Sequence, residues 1–238
     1  MIEPTKQGIW ITGASSGIGR AAVFEFARTG AKVFASARRA DELQKINESL
    51  KNEHAGIDVL PCNVASYQEV EQTVKKITSA HNINCLINNA GITSFKRAEN
   101  NSIQEINDVI NTNLLGAVYA IKSVLPYMKE QGGGTIINTI SVAAKKIFLN
   151  SSIYAASKAG LLAYTNSLRE EVRGYNIKII NVVPGATETP IWREEVRNEK
   201  GDKMMKAEDI GRLLVWLYNQ DGSMVTEEIV LRPITGDL

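Results

Sequence analysis

With 238 residues, 44% of them hydrophobic and 22% charged, the chain has the length of one α/β domain and the composition of an ordinary globular protein. A formal net charge of +1 gives no acidic or basic excess pointing to nucleic acid, and Cys62 and Cys85 form neither a C-x-x-C pair nor a metal-ligand spacing, which argues against a zinc site or a disulfide framework. The start MIEPTKQG lacks an apolar signal segment and no apolar run approaches the ~20 residues of a membrane span, so a cytoplasmic protein is expected.

Residues 9–12 form a short apolar run, suited to a buried strand and too short for a helix. The run leads into Gly13-Ala14-Ser15-Ser16-Gly17-Ile18-Gly19 and then a helical pattern over 20–28 that ends at Thr29-Gly30. Glycines between a strand and a helix let the backbone approach a diphosphate closely, with the free N–H groups of the helix start behind it. A plain glycine-rich turn is the bland alternative. A second strand, 31–37, ends at Arg38-Arg39, where a site for NAD usually carries an acid on the ribose 2′-hydroxyl. No acid occurs before Asp41, and guanidinium groups match a 2′-phosphate in shape and charge. Arg38 is the principal expected partner, with Arg39 from the following turn; otherwise both are solvated arginines opening a helix over 41–51.

A third strand, 57–60, leads to Pro61-Cys62-Asn63-Val64 and a helix over 67–80. The two histidines, His54 and His81, stand in polar settings and read as surface residues. A fourth strand, 84–87, ends in Asn88-Asn89-Ala90-Gly91, small and amide-bearing residues suited to the crevice of an open α/β sheet. One long amphipathic helix is expected over 103–131, stopped by Gly132-Gly133-Gly134. Strand five, 135–139, points at Ser141, and strand six, 177–183, ends at Pro184-Gly185. Residues 187–202 are polar and mixed in sign and read as a mobile cover, followed by a helix over 207–218 and a last strand over 228–231. This alternation predicts one doubly wound parallel sheet of about seven strands.

Between strands five and six, residues 151–173 carry a helical stripe that puts Tyr154 and Lys158 four apart on one face. An ammonium beside a phenol favours the phenolate and should draw the tyrosine pKa down from about 10. A phenol tuned that way can exchange a proton with a developing alkoxide. Chance Y-x-x-x-K pairs on amphipathic helices are nevertheless common.

Taken together, Thr12-Gly13-Ala-Ser-Ser-Gly17-Ile-Gly19, Asn88-Asn-Ala-Gly91, Asn113, Ser141, Tyr154-x-x-x-Lys158 and Pro184-Gly185 resemble the short-chain dehydrogenase/reductase family over essentially the whole chain. The resemblance implies a single Rossmann domain, 1–238, with a substrate-covering segment at about 186–206. It implies a catalytic tetrad: Tyr154 as general acid and base, Lys158 lowering its pKa and bonding the nicotinamide ribose, Ser141 on the substrate carbonyl, and Asn113 holding a relay water. It also implies an NADP(H) site built from Gly13, Ser15, Ser16, Gly17, Ile18, Gly19, Arg38, Arg39, Asn63, Val64, Asn89, Ala90, Gly91, Tyr154, Lys158, Pro184, Gly185, Thr187 and Thr189. Helices 103–131 and 151–173 pair across a two-fold axis in the family, so a homodimer or homotetramer is expected.

For the substrate, Ser141, Val142, Ile147, Phe148, Tyr154, Ile191 and Trp192 are the expected pocket, and Lys145, Lys146, Arg193 and Arg197 could favour an anionic group. Asn63 stands where the family usually has Asp beside the adenine, and the C-terminus lacks the common D-G-G. That ending looks like the branch acting on 3-hydroxy acids and related small alcohols. The expected activity is NADPH-dependent reduction of a carbonyl to a secondary alcohol, reversibly. The alternatives are a 3-oxoacyl-carrier-protein reductase, although Gly132 and Tyr175 stand where such enzymes carry carrier-gripping arginines, or a non-catalytic NADPH sensor.

Overall fold

The computed structural model describes residues 8–51, 56–220 and 223–237. In chain order the first half contains β1 (Gly8–Thr12), α1 (Gly17–Arg28), β2 (Lys32–Ser36), α2 (Ala40–Lys51), β3 (Asp58–Val59), α3 (Tyr67–Thr78) and β4 (Cys85–Asn88). The second half contains α4 (Ile103–Ile110), α5 (Gly116–Glu130), β5 (Gly134–Thr139), α6 (Ser152–Val172) and β6 (Ile177–Pro184). It ends with β7 (Thr187–Glu188), α7 (Glu194–Lys200), β8 (Met205–Lys206), α8 (Ala207–Tyr218) and β9 (Glu228–Leu231). His54 lies outside the described residues; His81 is exposed, its ring beside Phe34.

Seven parallel strands form one sheet in the order β3-β2-β1-β4-β5-β6-β9. β1 and β4 are buried along their whole length, which is why they read as unbroken apolar runs rather than alternating ones. Ile9, Ile11, Val33 and Ile137 meet α1, α2 and α8 on one face of the sheet. Trp10, Phe34, Leu86, Ile136 and Ile179 meet α3, α5 and α6 on the other. The chain order reverses between β1 and β4, which opens a crevice at the carboxyl ends of these strands. Near that edge Asn88, Asn138 and Asn181 lie in register across β4, β5 and β6, and their amides form a hydrogen-bonded ladder (3.0 and 3.2 Å) that runs on to Asn166 of α6. Slipping any of these strands would break a buried polar chain, so the ladder fixes register beneath the crevice.

One expectation needs correction. The helix expected over 103–131 is interrupted by a π-turn, Asn111–Leu115, between α4 and α5. The wider turn seats Asn113 inward, where it is buried, and Gly116 follows because a Cβ there would stand 2.7 Å from Val64 Cγ2. The segment expected as a mobile cover, 187–202, contains β7 and α7. β7 pairs with β8, Lys206 Nζ bonds Glu188 Oε2 at 2.5 Å, and α7 lies between the two strands.

Candidate active site

Gly13 has φ +64°, and a Cβ there would lie 2.6 Å from Ala90 Cα; a Cβ on Gly19 would lie 2.3 Å from the Gly13 carbonyl oxygen. Only glycine permits this approach, and it brings the loop after β1 against the loop after β4. Thr12 Oγ1 accepts from the N–H groups of Asn89 (3.1 Å) and Ala90 (3.2 Å), and Asn89 Nδ2 donates to the carbonyls of Thr12 and Gly13. Ser16 caps α1 with no side-chain hydrogen bond to its first turn, and that turn carries no acid. The donors and positive end of α1 therefore face the cleft, in a form suited to an anion.

At the same edge Arg38 and Arg39 are both exposed, and Arg39 Nη2 donates to Ser15 Oγ (2.9 Å) and Ser16 Oγ (3.1 Å). Arg39, the partner expected to be secondary, is thus the guanidinium held on the glycine loop.

A cleft of about 1110 Å³ runs from these arginines across the strand ends. Nearly every expected cofactor and substrate residue lines it; Gly19 and Asn113 lie behind its wall. Ser141 stands just after β5, its hydroxyl accepting from Ala143 N at 3.1 Å and near enough to the Tyr154 phenol to lower its pKa. Lys158 is buried on α6, and its Nζ donates to the Thr139 carbonyl at 2.7 Å, 6.0 Å from the Tyr154 ring centroid. The expected lowering of the Tyr154 pKa does not appear. Burial pushes the phenol up, Ser141 partly opposes this, and burial pushes the Lys158 ammonium down to about 8.

Asn113 is committed to the backbone. Its Oδ1 accepts from Ile92 N (2.8 Å) and its Nδ2 donates to Ile92 O (2.8 Å) and Ser157 Oγ (3.0 Å). Both amide donors are used, so a water on this side chain could meet only the remaining lone pair of Oδ1.

Val142, Ile147, Phe148, Ile191 and Trp192 all line the cleft as expected. Sequence reasoning missed Phe95, whose ring stacks on Trp192 (centroids 5.0 Å apart, planes at 18°) and faces Tyr154 at 6.5 Å. A lone aromatic in the polar run Thr93-Ser94-Phe95-Lys96-Arg97 was the available signal. The expected cations stand elsewhere. Neither Lys145, paired with Glu228, nor Lys146, paired with the cleft-lining Asp237, lines the cleft itself; Arg193 is exposed at the start of α7, and Arg197 does not line the cleft either. Among the described residues no cluster of His, Cys, Asp and Glu could hold a metal ion, and no helix is long and apolar enough to cross a membrane.

The fit to a dinucleotide rests on the glycine cradle, the uncapped start of α1 and the arginine held on the loop. Comparison with known proteins agrees with that arrangement. The sequence is 35% identical over 241 residues to a sepiapterin reductase of Chlorobaculum tepidum, covering 98% of both chains. It is 31% identical to a 3-oxoacyl-[acyl-carrier-protein] reductase of Thermotoga maritima, covering 92% of this chain and 93% of that protein. The fold superposes with a TM-score of 0.87 on an alcohol dehydrogenase of the archaeon Thermococcus sibiricus complexed with 5-hydroxy-NADP, at 26% identity over 96% of this chain and 97% of that one. Residues 7–200 match the short chain dehydrogenase family model, and the chain belongs to that family of oxidoreductases.

Proposed function

We propose that this protein is an NADPH-dependent reductase of a ketone attached to a flat conjugated ring, able to run in reverse as a secondary-alcohol dehydrogenase. The observation that carries the reading is the Ser141–Tyr154 hydroxyl pair on the cleft wall with the buried Lys158 behind it. When bound, NADPH supplies the hydride that reaches the carbonyl carbon. Ser141 and Tyr154 bond the carbonyl oxygen, and Tyr154 gives it the proton that completes the alcohol. A phenol whose pKa burial keeps high holds that proton at neutral pH, and the Lys158 charge favours the phenolate left behind. Asn113 acts by position, through Ile92 and Ser157.

The start of α1 would take the cofactor diphosphate, with Thr187, Thr189, Pro184 and Gly185 flanking it. Arg39, with Arg38 beside it, would take the 2′-phosphate, and Asn63 and Val64 the adenine. Residues 186–206 cover the substrate, and Trp192 with Phe95 presents it an aromatic wall. That wall favours a flat ring, and the sepiapterin reductase among the relatives makes sepiapterin the first compound to test. The carrier-protein reading has the Thermotoga maritima relative in its favour but no arginine grip: Arg173 is held by Glu170 and Glu227, and Gly132 lies in a left-handed turn. The same reading takes the protein as a cytoplasmic homodimer or homotetramer that joins through α4, α5 and α6.

The test is NADPH consumption by the purified protein with sepiapterin, diketones, acyclic ketones and 3-oxoacyl thioesters, with Tyr154→Phe as control. Turnover on ring-bearing ketones that falls by about 10²–10⁴-fold in Tyr154→Phe is expected, since a positioned acid contributes that much. Turnover restricted to thioesters, or a Tyr154→Phe protein with a tenth of wild-type activity, overturns the reading.

A further inference from the structure

We propose that Ser157 is a positioning residue that holds the nicotinamide-side loop at its working distance from Tyr154 and Lys158; this rests on the proposed reductase reading. Ser157 is fully buried on α6, between the turn bearing Tyr154 and the adjacent Lys158. Its hydroxyl donates its single proton to the Tyr154 carbonyl at 2.7 Å, so toward Asn113 it presents only lone pairs. Those lone pairs accept from Asn113 Nδ2 at 3.0 Å. The amide is thereby fixed, with nitrogen toward Ser157 and the Ile92 carbonyl and oxygen toward the Ile92 N–H. The reversed amide would set its oxygen against the carbonyl of Ile92 and leave Ser157 with no donor.

The consequence reaches the cleft through one peptide. Ile92 follows Gly91, where a Cβ would stand 3.6 Å from Lys158 Nζ and 3.5 Å from Asn113 Oδ1. The spacing between the loop after β4, the π-turn and α6 is therefore fixed by one buried hydroxyl, one buried amide and one half-buried backbone unit at the cleft wall. Reacting groups must be held to within about half an ångström, and a loosened support costs rate without removing any reacting atom. Ser157 touches neither the phenol nor the ammonium, so its effect passes through Asn113 and Ile92.

The experiment compares Ser157→Ala and Ser157→Cys with the wild type, by residue-resolved amide hydrogen exchange and by steady-state kinetics. In Ser157→Ala the Ile92 N–H should exchange about tenfold faster, the equivalent of one hydrogen bond, while Trp10 and Ile136 in the sheet keep their protection. kcat should fall by about tenfold with little change in NADPH affinity, and the sulfur of Ser157→Cys, a weaker acceptor for the Asn113 amide, should recover part of both losses. Unchanged Ile92 exchange, or a loosening spread evenly over α6 and the sheet, overturns the proposal. If Ser157→Ala does not fold, Ser157→Cys carries the same two readouts. The exchange measurement needs no turnover, so a wild type that reduces no carbonyl sinks the reductase reading and leaves the Ile92 result to decide the role of Ser157.

Discussion

Lys158 shows how far a single side chain departs from what its spacing suggests. Four residues from Tyr154 it shares a helix face, yet its ammonium bonds the Thr139 carbonyl and is buried enough that its pKa drops from 10.5 to about 8. The folded protein then binds this proton more weakly than the unfolded chain. The destabilisation is fully present below about pH 8, fades as pH rises through 10.5, and is gone above it, where neither state is charged. Lys158→Met should therefore raise the melting temperature at pH 7, by an effect on the order of 1–3 kcal/mol after loss of the Thr139 bond. At pH 10 the gain should shrink, and an equal gain at both values would show that burial does not lower this pKa. Arg39 supports a second expectation. Charge-assisted hydrogen bonds contribute roughly 1.5–3 kcal/mol, so Arg39→Ala should weaken NADPH binding by about tenfold or more while NADH binding changes little. Equal losses for both cofactors in a titration would place Arg39 off the 2′-phosphate.

In the proposed reading, the segment 186–206 is the element with most to say about substrate choice. β7 and β8 pin its base beside the sheet, while Trp192 reaches across the cleft to Phe95 on the loop after β4. Stacked aromatic pairs contribute about 0.5–1.5 kcal/mol beyond area burial, so the contact is firm enough to shape a wall and weak enough to open. Trp192→Ala should raise KM for ring-bearing ketones by roughly 3- to 10-fold, the kinetic equivalent of one lost stack, and leave a small acyclic ketone nearly unaffected. A uniform rise across both substrate types would mean that Trp192 serves closure alone. The π-turn shows a similar division of labour within a helix: it costs α4 and α5 their regular ladder and returns an inward Asn113.

At the scale of the molecule, the two faces of the sheet are covered but the outer face of α6 is not. Ala156, Ala159 and Ala163 are exposed along it, and Ile103 at the start of α4 is 74% exposed. Small residues in a row on an uncovered helix allow close approach of a second copy about a two-fold axis. Light scattering at micromolar concentration should give the mass of a dimer or tetramer, and Ala159→Arg should shift it toward a single chain. The mass of one chain in the wild type would count against assembly through this face.

How much the sequence determined follows from where its physical signals are local. Strand, glycine loop and helix in succession are dictated by neighbours, and so the sheet, the crevice and the lining by Gly13, Tyr154 and Ser141 were legible in the sequence. Element ends differed by only one to three residues for the same reason: β1 begins one residue earlier than expected and α1 three. Contacts between segments far apart in the chain were not legible. Periodicity cannot reveal an extra residue in a helical turn when the cause is Ile92, 21 positions away, bonding Asn113. Phe95 gained meaning only when Trp192, nearly a hundred residues later, closed on it. The sign of the Tyr154 shift was also a tertiary matter. Spacing put an ammonium on the same helix face, but enclosure and the competing pull of the Thr139 carbonyl on Lys158 come from β5, and dielectric surroundings are a property of the packed molecule rather than of the chain.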